Sequence, residues 1–288
     1  MITPEIYTPE AALYLVGTPI GNLSDLSERA VSTLASVDFI AAEDTRNSLK
    51  LLTHFGIKKS LVSYYEHNKR ERGEIICKRI LAGESCALIT DAGMPAISDP
   101  GEDLVRLCRE LNIPVISVPG PSAVITAAAL SGLSVGRFCF EGFLSTNKNE
   151  RRAHLEALKN EIRTVIFYEA PHKLRKTLGD LLEYFGKDRR ICLCRELTKI
   201  HEEALLMTLE EAVDKYAELE PKGEFVLVLE GCGEVEQEHF WDDMTLEEHV
   251  SHYVSLGHVK GEAVKLCAKD RGLPKSAVYS QVCTKEKY

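Results

Sequence analysis

The residues able to do chemistry fall in a few short stretches. AEDTRN (42–47) sets Glu43 and Asp44 beside Arg46. Paired acids next to a guanidinium suit substrate orientation or proton abstraction, and equally a plain ion pair. TDAGMPAISDPG (90–101) holds two aspartates, two glycines and two prolines. A carboxylate there can accept from an amine or hydroxyl of a polar ligand, and an Asx-turn is the structural alternative. In GTPIGN (17–22), Gly17 and Gly21 frame a turn stiffened by Pro19. Without a Cβ, such a turn can bring backbone N–H groups close to a ligand. PGPSA (119–123) places Ser122 to cap a following helix, whose N-terminus can also hold a polar group of a ligand. YEAPHKL (168–174) brings Glu169, Pro171, His172 and Lys173 to another strand end, and RELTK (195–199) brings Arg195, Glu196, Thr198 and Lys199.

Several chemistries find no support. The chain has no GxxxxGK[ST] loop and no GxGxxG after a strand, so neither a P-loop ATPase nor a nicotinamide enzyme is indicated. Its cysteines are odd in number and scattered, and Cys192 and Cys194 alternate on one strand face rather than forming a CxxC knuckle. They read as buried, reduced thiols of a cytosolic protein. His249, His252 and His258 read as surface residues of a helical tail, so no metal is expected.

These loops need elements to position them. LYLVG (13–17), DFIAAED (38–44), LVSYYEHN (61–68), CALITDAG (86–93) and PVISVPG (114–120) are strand candidates. Helical spacing follows in LSERAVSTLAS, with Asp25 and Glu28 as a capping box, then in NSLKLLTHFGI, EIICKRILAG and GEDLVRLCREL. This alternation predicts an α/β fold with a mostly parallel sheet, whose ligands sit beyond the carboxyl ends of the strands. GTPIGN, AEDTR, DAGMPAISDPG and PGPSA all fall at that edge. After a small-residue helix, PSAVITAAALSGL, come the strand candidates RFCFEGFL (137–144), TVIFYEA (164–170), RRICLCREL (189–197), EEALLMTL (202–209) and EFVLVLEG (224–231). One helix, PHKLRKTLGDLLEYFG, intervenes between 170 and 189. The last strands are close enough for antiparallel pairing, which predicts a second α/β domain with a mixed sheet. GCGEVEQEHFWDDM (231–244) reads as a linker, and Thr245 with Glu248 can cap the first helix of a small helix-turn-helix-like module. The expected organisation is residues 1–121, 122–232 and 233–288.

The chain has 288 residues and a formal net charge of -9. A protein that coats nucleic acid would be basic, so any RNA contact must be local. The N-terminal stretch lacks a basic region followed by a long apolar core, and no apolar run approaches a membrane span, so a cytoplasmic protein is expected.

Taken together, LYLVGTPIGNLSDLSERAVSTLASVDFIAAEDTR, ALITDAGMPAISDPGEDLVRLC, VPGPSAVITAAALSGL, FEGFL, FYEAPHKL, CRELTKIHEE and GEFVLVLEG resemble the ribosomal RNA small subunit methyltransferase I family, in order over about residues 11 to 231. The tail GHVKGEAVKLCAKDRGLPKSAVY resembles that family's C-terminal helical module. The resemblance implies the tetrapyrrole-methylase fold, with two α/β domains around a ligand cleft and a homodimer. It implies S-adenosylmethionine as cofactor and transfer to the ribose 2′-OH of a cytidine, cytidine 1402, in the decoding region of 16S rRNA within the small ribosomal subunit. It carries cofactor-binding roles onto Thr18, Pro19, Ile20 and Gly21, onto Asp91, Ala92, Gly93 and Met94, onto Ser122 and Ala123, and onto Glu169, Ala170 and Pro171. It turns Arg46, Asn68, Lys173, Arg195 and Lys199 toward RNA. Glu43, Asp44 and His67 are our candidates for the base that accepts the hydroxyl proton. Lys148, Arg151, Arg152, Lys187, Arg189 and Arg190 are candidate phosphate contacts, and Tyr64 and Tyr65 could stack a base. The alternatives are a tetrapyrrole C-methyltransferase and a non-enzymatic ribosome-assembly factor of the same fold.

Overall fold

The computed structural model describes residues 11–233 and 240–283. The chain divides into two compact units between Gly233 and Glu234. The larger unit holds two five-stranded sheets.

The first sheet comprises β1 (Leu13–Val16), β2 (Phe39–Ala42), β3 (Ser60–Ser63), β4 (Cys86–Ile89) and β5 (Val115–Val118), in the order β3-β2-β4-β1-β5 with every pairing parallel. Sheets of this kind are covered on both faces, so their strands need apolar residues at successive positions. β2 and β4 are buried throughout. Alternate residues separate into two cores. Tyr14, Ile40, Ala42 and Ile89 pack with Leu34 of α1 (Glu28–Ser36) and Leu52 of α2 (Thr45–His54). Leu13, Phe39, Ala41 and Leu88 pack with Ile76 of α3 (Lys69–Leu81) and Leu104 of α4 (Gly101–Glu110). The connections leaving β1 and β4 run in opposite directions along the sheet, so the crevice between these neighbours is the topological switch point where ligands bind in such folds.

The second sheet comprises β6 (Phe138–Phe143), β7 (Thr164–Glu169), β8 (Arg190–Arg195), β9 (Glu203–Thr208) and β10 (Phe225–Leu229), in the order β6-β7-β10-β8-β9. Only β6 and β7 pair in parallel; the other three pairings are antiparallel, as the short connections predict. One face packs against α6 (Lys148–Leu158), α7 (Pro171–Phe185) and α8 (Leu209–Glu218). The other face meets α5 (Ala123–Leu130), and Ile20 from the GTPIGN turn joins that core.

Several local expectations are corrected. The cap of α1 is Ser27, whose hydroxyl accepts from Ala30 N at 3.1 Å; Asp25 instead ends a 3-10 turn capped by Asn22. The strand expected over 61–68 stops at Ser63, and α3 starts at Lys69, ahead of the EIICKRILAG stretch that carries the helical spacing. Helices α6 and α8 were not anticipated. The described cysteines are free thiols. No helix among the described residues is long and apolar enough to cross a membrane.

The smaller unit holds α9 (Leu246–Ser255), α10 (Lys260–Asp270) and α11 (Lys275–Cys283) around Val250, Ala263, Val264, Cys267 and Val278. The linker stretch lies partly outside the described residues, at 234–239. The Thr245–Glu248 capping box forms as predicted. His249 is not a surface residue: it is fully buried, with Trp241 stacked on it at 5.0 Å and Tyr253 stacked at 5.3 Å. Arg271 donates to its Nδ1 at 3.1 Å, and Asp270 lies 3.3 Å from Nε2. Burial first, then the Arg271 charge, hold the imidazole below its ordinary pKa, with Asp270 opposing. The folded unit therefore binds fewer protons than the unfolded chain just below about pH 6.5, the ordinary histidine value. Its stability is full above that pH and falls as the medium is acidified toward the folded pKa. Trp241 is the sole tryptophan, so its fluorescence reports this unit alone. Melts followed at Trp241 should shift down between pH 7.5 and 5.5 (on the order of the unperturbed titration range), and His249→Phe should flatten that slope. An unchanged slope in the variant would assign the acid sensitivity elsewhere.

Candidate active site

The three glycine-bearing loops of the first sheet meet at the switch point. Gly17 N donates to Val118 O at 3.2 Å as β1 ends. Thr18 and Gly93 then exchange two backbone hydrogen bonds, of 2.9 and 3.1 Å. The buried Thr18 hydroxyl donates to Thr90 O at 3.1 Å. This rung locks GTPIGN onto TDAG. The glycines themselves serve the packing of chain on chain. A Cβ on Gly17 would lie 2.7 Å from both Gly120 Cα and Met94 Sδ, and one on Gly21 would lie 2.6 Å from Lys199 Cγ. They let PGPSA and RELTK close upon the turn, while Gly21 also lines the cavity beside the rung.

Within TDAGMPAISDPG the two aspartates differ. Asp99 accepts from the backbone N–H groups of Ala96, Ile97 and Gly101 at 3.0, 3.2 and 2.7 Å, so it is the turn-forming residue. Among the described residues, the Asp91 carboxylate bonds only the Asn47 amide, at 3.3 Å. Ala96 and Ser98 lie in the left-handed region at φ 68° and 64°, and so do Glu196 and Thr198 of RELTK at 52° and 65°. Such strain in non-glycine residues persists only where surrounding contacts impose it, and it concentrates at functional loops.

A cavity of about 450 Å³ opens beside the rung. Its walls are Thr18 to Gly21 with Leu23, Thr90 to Ala92, and the α2 side chains Asn47, Ser48, Lys50, Leu51 and His54. Of the cofactor residues expected from sequence, Thr18, Pro19, Ile20, Gly21, Asp91 and Ala92 line it; Gly93, Met94, Ser122, Ala123 and Glu169 to Pro171 do not. The α2 wall was missed. Its signal was the polar spacing of Asn47, Lys50 and His54 along one helix face directly after AEDTR.

The three base candidates separate clearly. Glu43 Oε2 accepts from Thr90 Oγ1 at 3.0 Å, and Thr90 stands on the cavity wall. Partial burial chiefly, with the charges of Asp91, Asp99 and Asp44, raises the Glu43 pKa, against the Thr90 hydrogen bond. Asp44 is the N-cap of α2, accepts from Arg46 N at 2.8 Å and pairs with the Arg46 guanidinium at 2.8 Å. The Arg46 side chain holds its carboxyl down at about 2, so Asp44 is a cap rather than a base. His67 is exposed, sits edge-on to Tyr65 at 6.1 Å and does not line the cavity.

The other candidate residues have partners of their own, and for Glu169, Tyr64 and Arg151 these overturn the expected role. Glu169 lies on the β7 face shared with Val165 and Phe167, away from Tyr168 and α5. Its carboxylate accepts from Ala170 N at 2.8 Å and from the Thr177 hydroxyl, so it braces α7 rather than reaching a ligand. Ser122 occupies the N-cap of α5 but makes no side-chain cap bond. Tyr64 is buried with its hydroxyl on Pro100 O at 3.0 Å, so it cannot stack a base. Asn68 closes its own turn through Tyr65 N and Ser63 O. Arg195 pairs with Glu203 at 3.1 Å, and Lys199 with Glu196 and Glu224 at 2.8 Å each. Arg151 is buried and bound to Asp180 and Thr177, and Arg190 is paired with Glu230. Lys173 is half-buried in the first turn of α7, while Arg46 keeps its side chain 86% exposed despite its ion pair.

The chain matches the tetrapyrrole (corrin/porphyrin) methylase family over residues 12–213. It is 50% identical to the ribosomal RNA small subunit methyltransferase I of Halalkalibacterium halodurans, over 94% of each chain. It is 46% identical to the Bacillus subtilis protein of the same name, over 93% of this chain and 92% of that one. Among solved structures, uroporphyrin-III C-methyltransferase from Thermus thermophilus complexed with S-adenyl homocysteine shares the fold, with a TM-score of 0.52 and 18% identity over 75% of this chain and 91% of that chain. The near-full-length identity, with the domain match running through most of both sheets, places the chain in the ribosomal RNA small subunit methyltransferase I family of tetrapyrrole methylases.

Proposed function

We propose that the protein transfers a methyl group from S-adenosylmethionine to the ribose 2′-oxygen of cytidine 1402 in 16S rRNA, on the small ribosomal subunit. In this reading it works as a cytoplasmic homodimer without a metal. Its two α/β domains, residues 1–121 and 122–232, hold the donor between them. Support comes from the family and from the fold neighbour that holds S-adenyl homocysteine. The observation that carries the chemistry is the hydrogen bond joining Glu43 to Thr90 on the cavity wall.

S-adenosylmethionine, when bound, supplies a methyl group on a sulfonium. The residues present fit such a donor. GTPIGN carries no lysine, and a donor without phosphate needs none. Asp91 to Met94 and the α5 N-terminus at Ser122 and Ala123 would hold it, since Ser122 leaves the first N–H groups of α5 free of a side-chain cap. The loop walls fix acceptor oxygen and methyl in line, which is a large part of catalysis for a displacement of this kind. Glu43 accepts the 2′-hydroxyl proton, directly or through Thr90 Oγ1. Its raised pKa makes it a stronger base than an ordinary carboxylate.

The test is a methyl-transfer assay on unmethylated small subunits, naked 16S rRNA and a porphyrinoid, followed by ribose-methylation mapping. Methyl on the cytidine 2′-oxygen of the subunits is expected. Product on the porphyrinoid alone would make the protein a tetrapyrrole enzyme, and no calorimetric binding of S-adenosylmethionine would make it an assembly factor.

A further inference from the structure

The α2 wall of the cavity has properties that a donor without phosphate does not call for. Ser48 is 4% exposed, and its side chain lines the cavity with no hydrogen-bond partner among the described residues. Its hydroxyl is not among the buried atoms left unpartnered, so it opens onto the cavity and can bond a ligand there. Next to it, the Asn47 amide reaches only Asp91 among the described residues. Lys50 and His54 also line the cavity, and neither has an acidic partner among the described residues. Lys50 and His54 lie four residues apart on one face of α2, and Lys50 supplies there an ammonium unpaired among the described residues. The chain's net charge is -9, and many of its arginines are taken up in ion pairs. An ammonium left available on a cavity wall is therefore a local electrostatic feature. The cavity volume, about 450 Å³, lies in the range of small-molecule sites, and the cavity is not lined by Met94, Gly120 or α5.

We infer that this cavity seats the acceptor nucleotide of a single-stranded RNA segment, with Lys50 and His54 on its flanking phosphates and Ser48 and Asn47 bonding its sugar or base. The inference rests on the function proposed above and assigns the acceptor to the α2 side of the Thr18–Gly93 rung. The donor lies on the α5 side. Recognition in this form suits RNA, whose bases are read when splayed from a single strand while phosphate contacts set the register.

The test uses the full chain with unmethylated small subunits and S-adenosylmethionine as probes. RNA binding is measured without donor, and donor binding by calorimetry without RNA. The double variant Lys50→Ala/His54→Ala should weaken subunit binding roughly tenfold and reduce the slope of log affinity against log salt by about one to two. Ser48→Ala should lower kcat/KM for subunits several-fold. All variants should keep the wild-type donor affinity. Both substituted residues are exposed, so folding is not at stake. Weakened donor binding with unchanged subunit binding would hand the cavity to the donor and overturn the inference, as would no change in either. Wild-type protein that binds subunits through Lys50 and His54 yet methylates no RNA would sink the proposed function and leave the binding inference standing.

Discussion

Replacing Arg151 with alanine is expected to lower stability by about 3 kcal/mol, or roughly 6–12 °C in melting temperature for a unit of this size, and to leave RNA affinity unchanged. In the sequence Arg151 sits in the basic run KNERRAH, where a phosphate contact is the natural reading. In the fold it is 6% exposed and spans α6 to α7. Its Nε donates to Asp180 at 2.6 Å and its Nη2 to the Thr177 hydroxyl at 2.8 Å, and Thr177 in turn donates to the buried Glu169. Truncation leaves a fully buried threonine half-satisfied and removes the cation from a carboxylate chain. Asp180 is 27% exposed and can take water, which keeps the cost at the lower end for a broken buried pair. Arg151→Met should recover part of the loss by filling the volume without a charge. A variant of normal stability and weakened RNA affinity would restore the phosphate-contact reading.

The same residue shows why some of this molecule could be read from sequence and some could not. The five parallel strands announce themselves because burial on both faces demands apolar runs, which glycine and proline then end. Helix α6 hides because its inner face includes an arginine, so its apolar positions reduce largely to Leu155 and Leu158. Helix α8 hides because its cap, Thr208, is also the last residue of β9, so no turn sequence separates them. The convergence of GTPIGN, TDAG and PGPSA was legible from topology alone. That Gly17 is glycine because Gly120 touches it was not, since the contact joins the ends of β1 and β5. Ion pairing was equally opaque. Lys199 could have faced RNA as readily as Glu196 and Glu224, and only the register of β8 with β10 decides.

Glu43→Gln is expected to lower kcat for subunit methylation by about 10²–10⁴, the range for losing a general base, with donor affinity unchanged. The sign of its effect on stability separates this from a folding defect. Partial burial raises the Glu43 pKa above its ordinary value. The folded chain therefore binds more protons than the unfolded chain between the ordinary value and the folded pKa, and stability falls as pH rises through that window. At neutral pH the ionised Glu43 is a small liability that glutamine removes, so the variant should melt no lower than wild type and slightly higher if anything. Activity runs the other way, because the base must be ionised: wild-type kcat should fall as pH drops through the raised pKa, with its acid limb above the ordinary carboxylate range. Asp44→Asn offers the contrast. Asparagine also caps helices well, and Asp44 is already ionised far below any working pH, so kcat and its acid limb should stay in place. An acid limb that moved with Asp44 but not with Glu43 would reverse the assignment, since only the group whose proton is in play can set it.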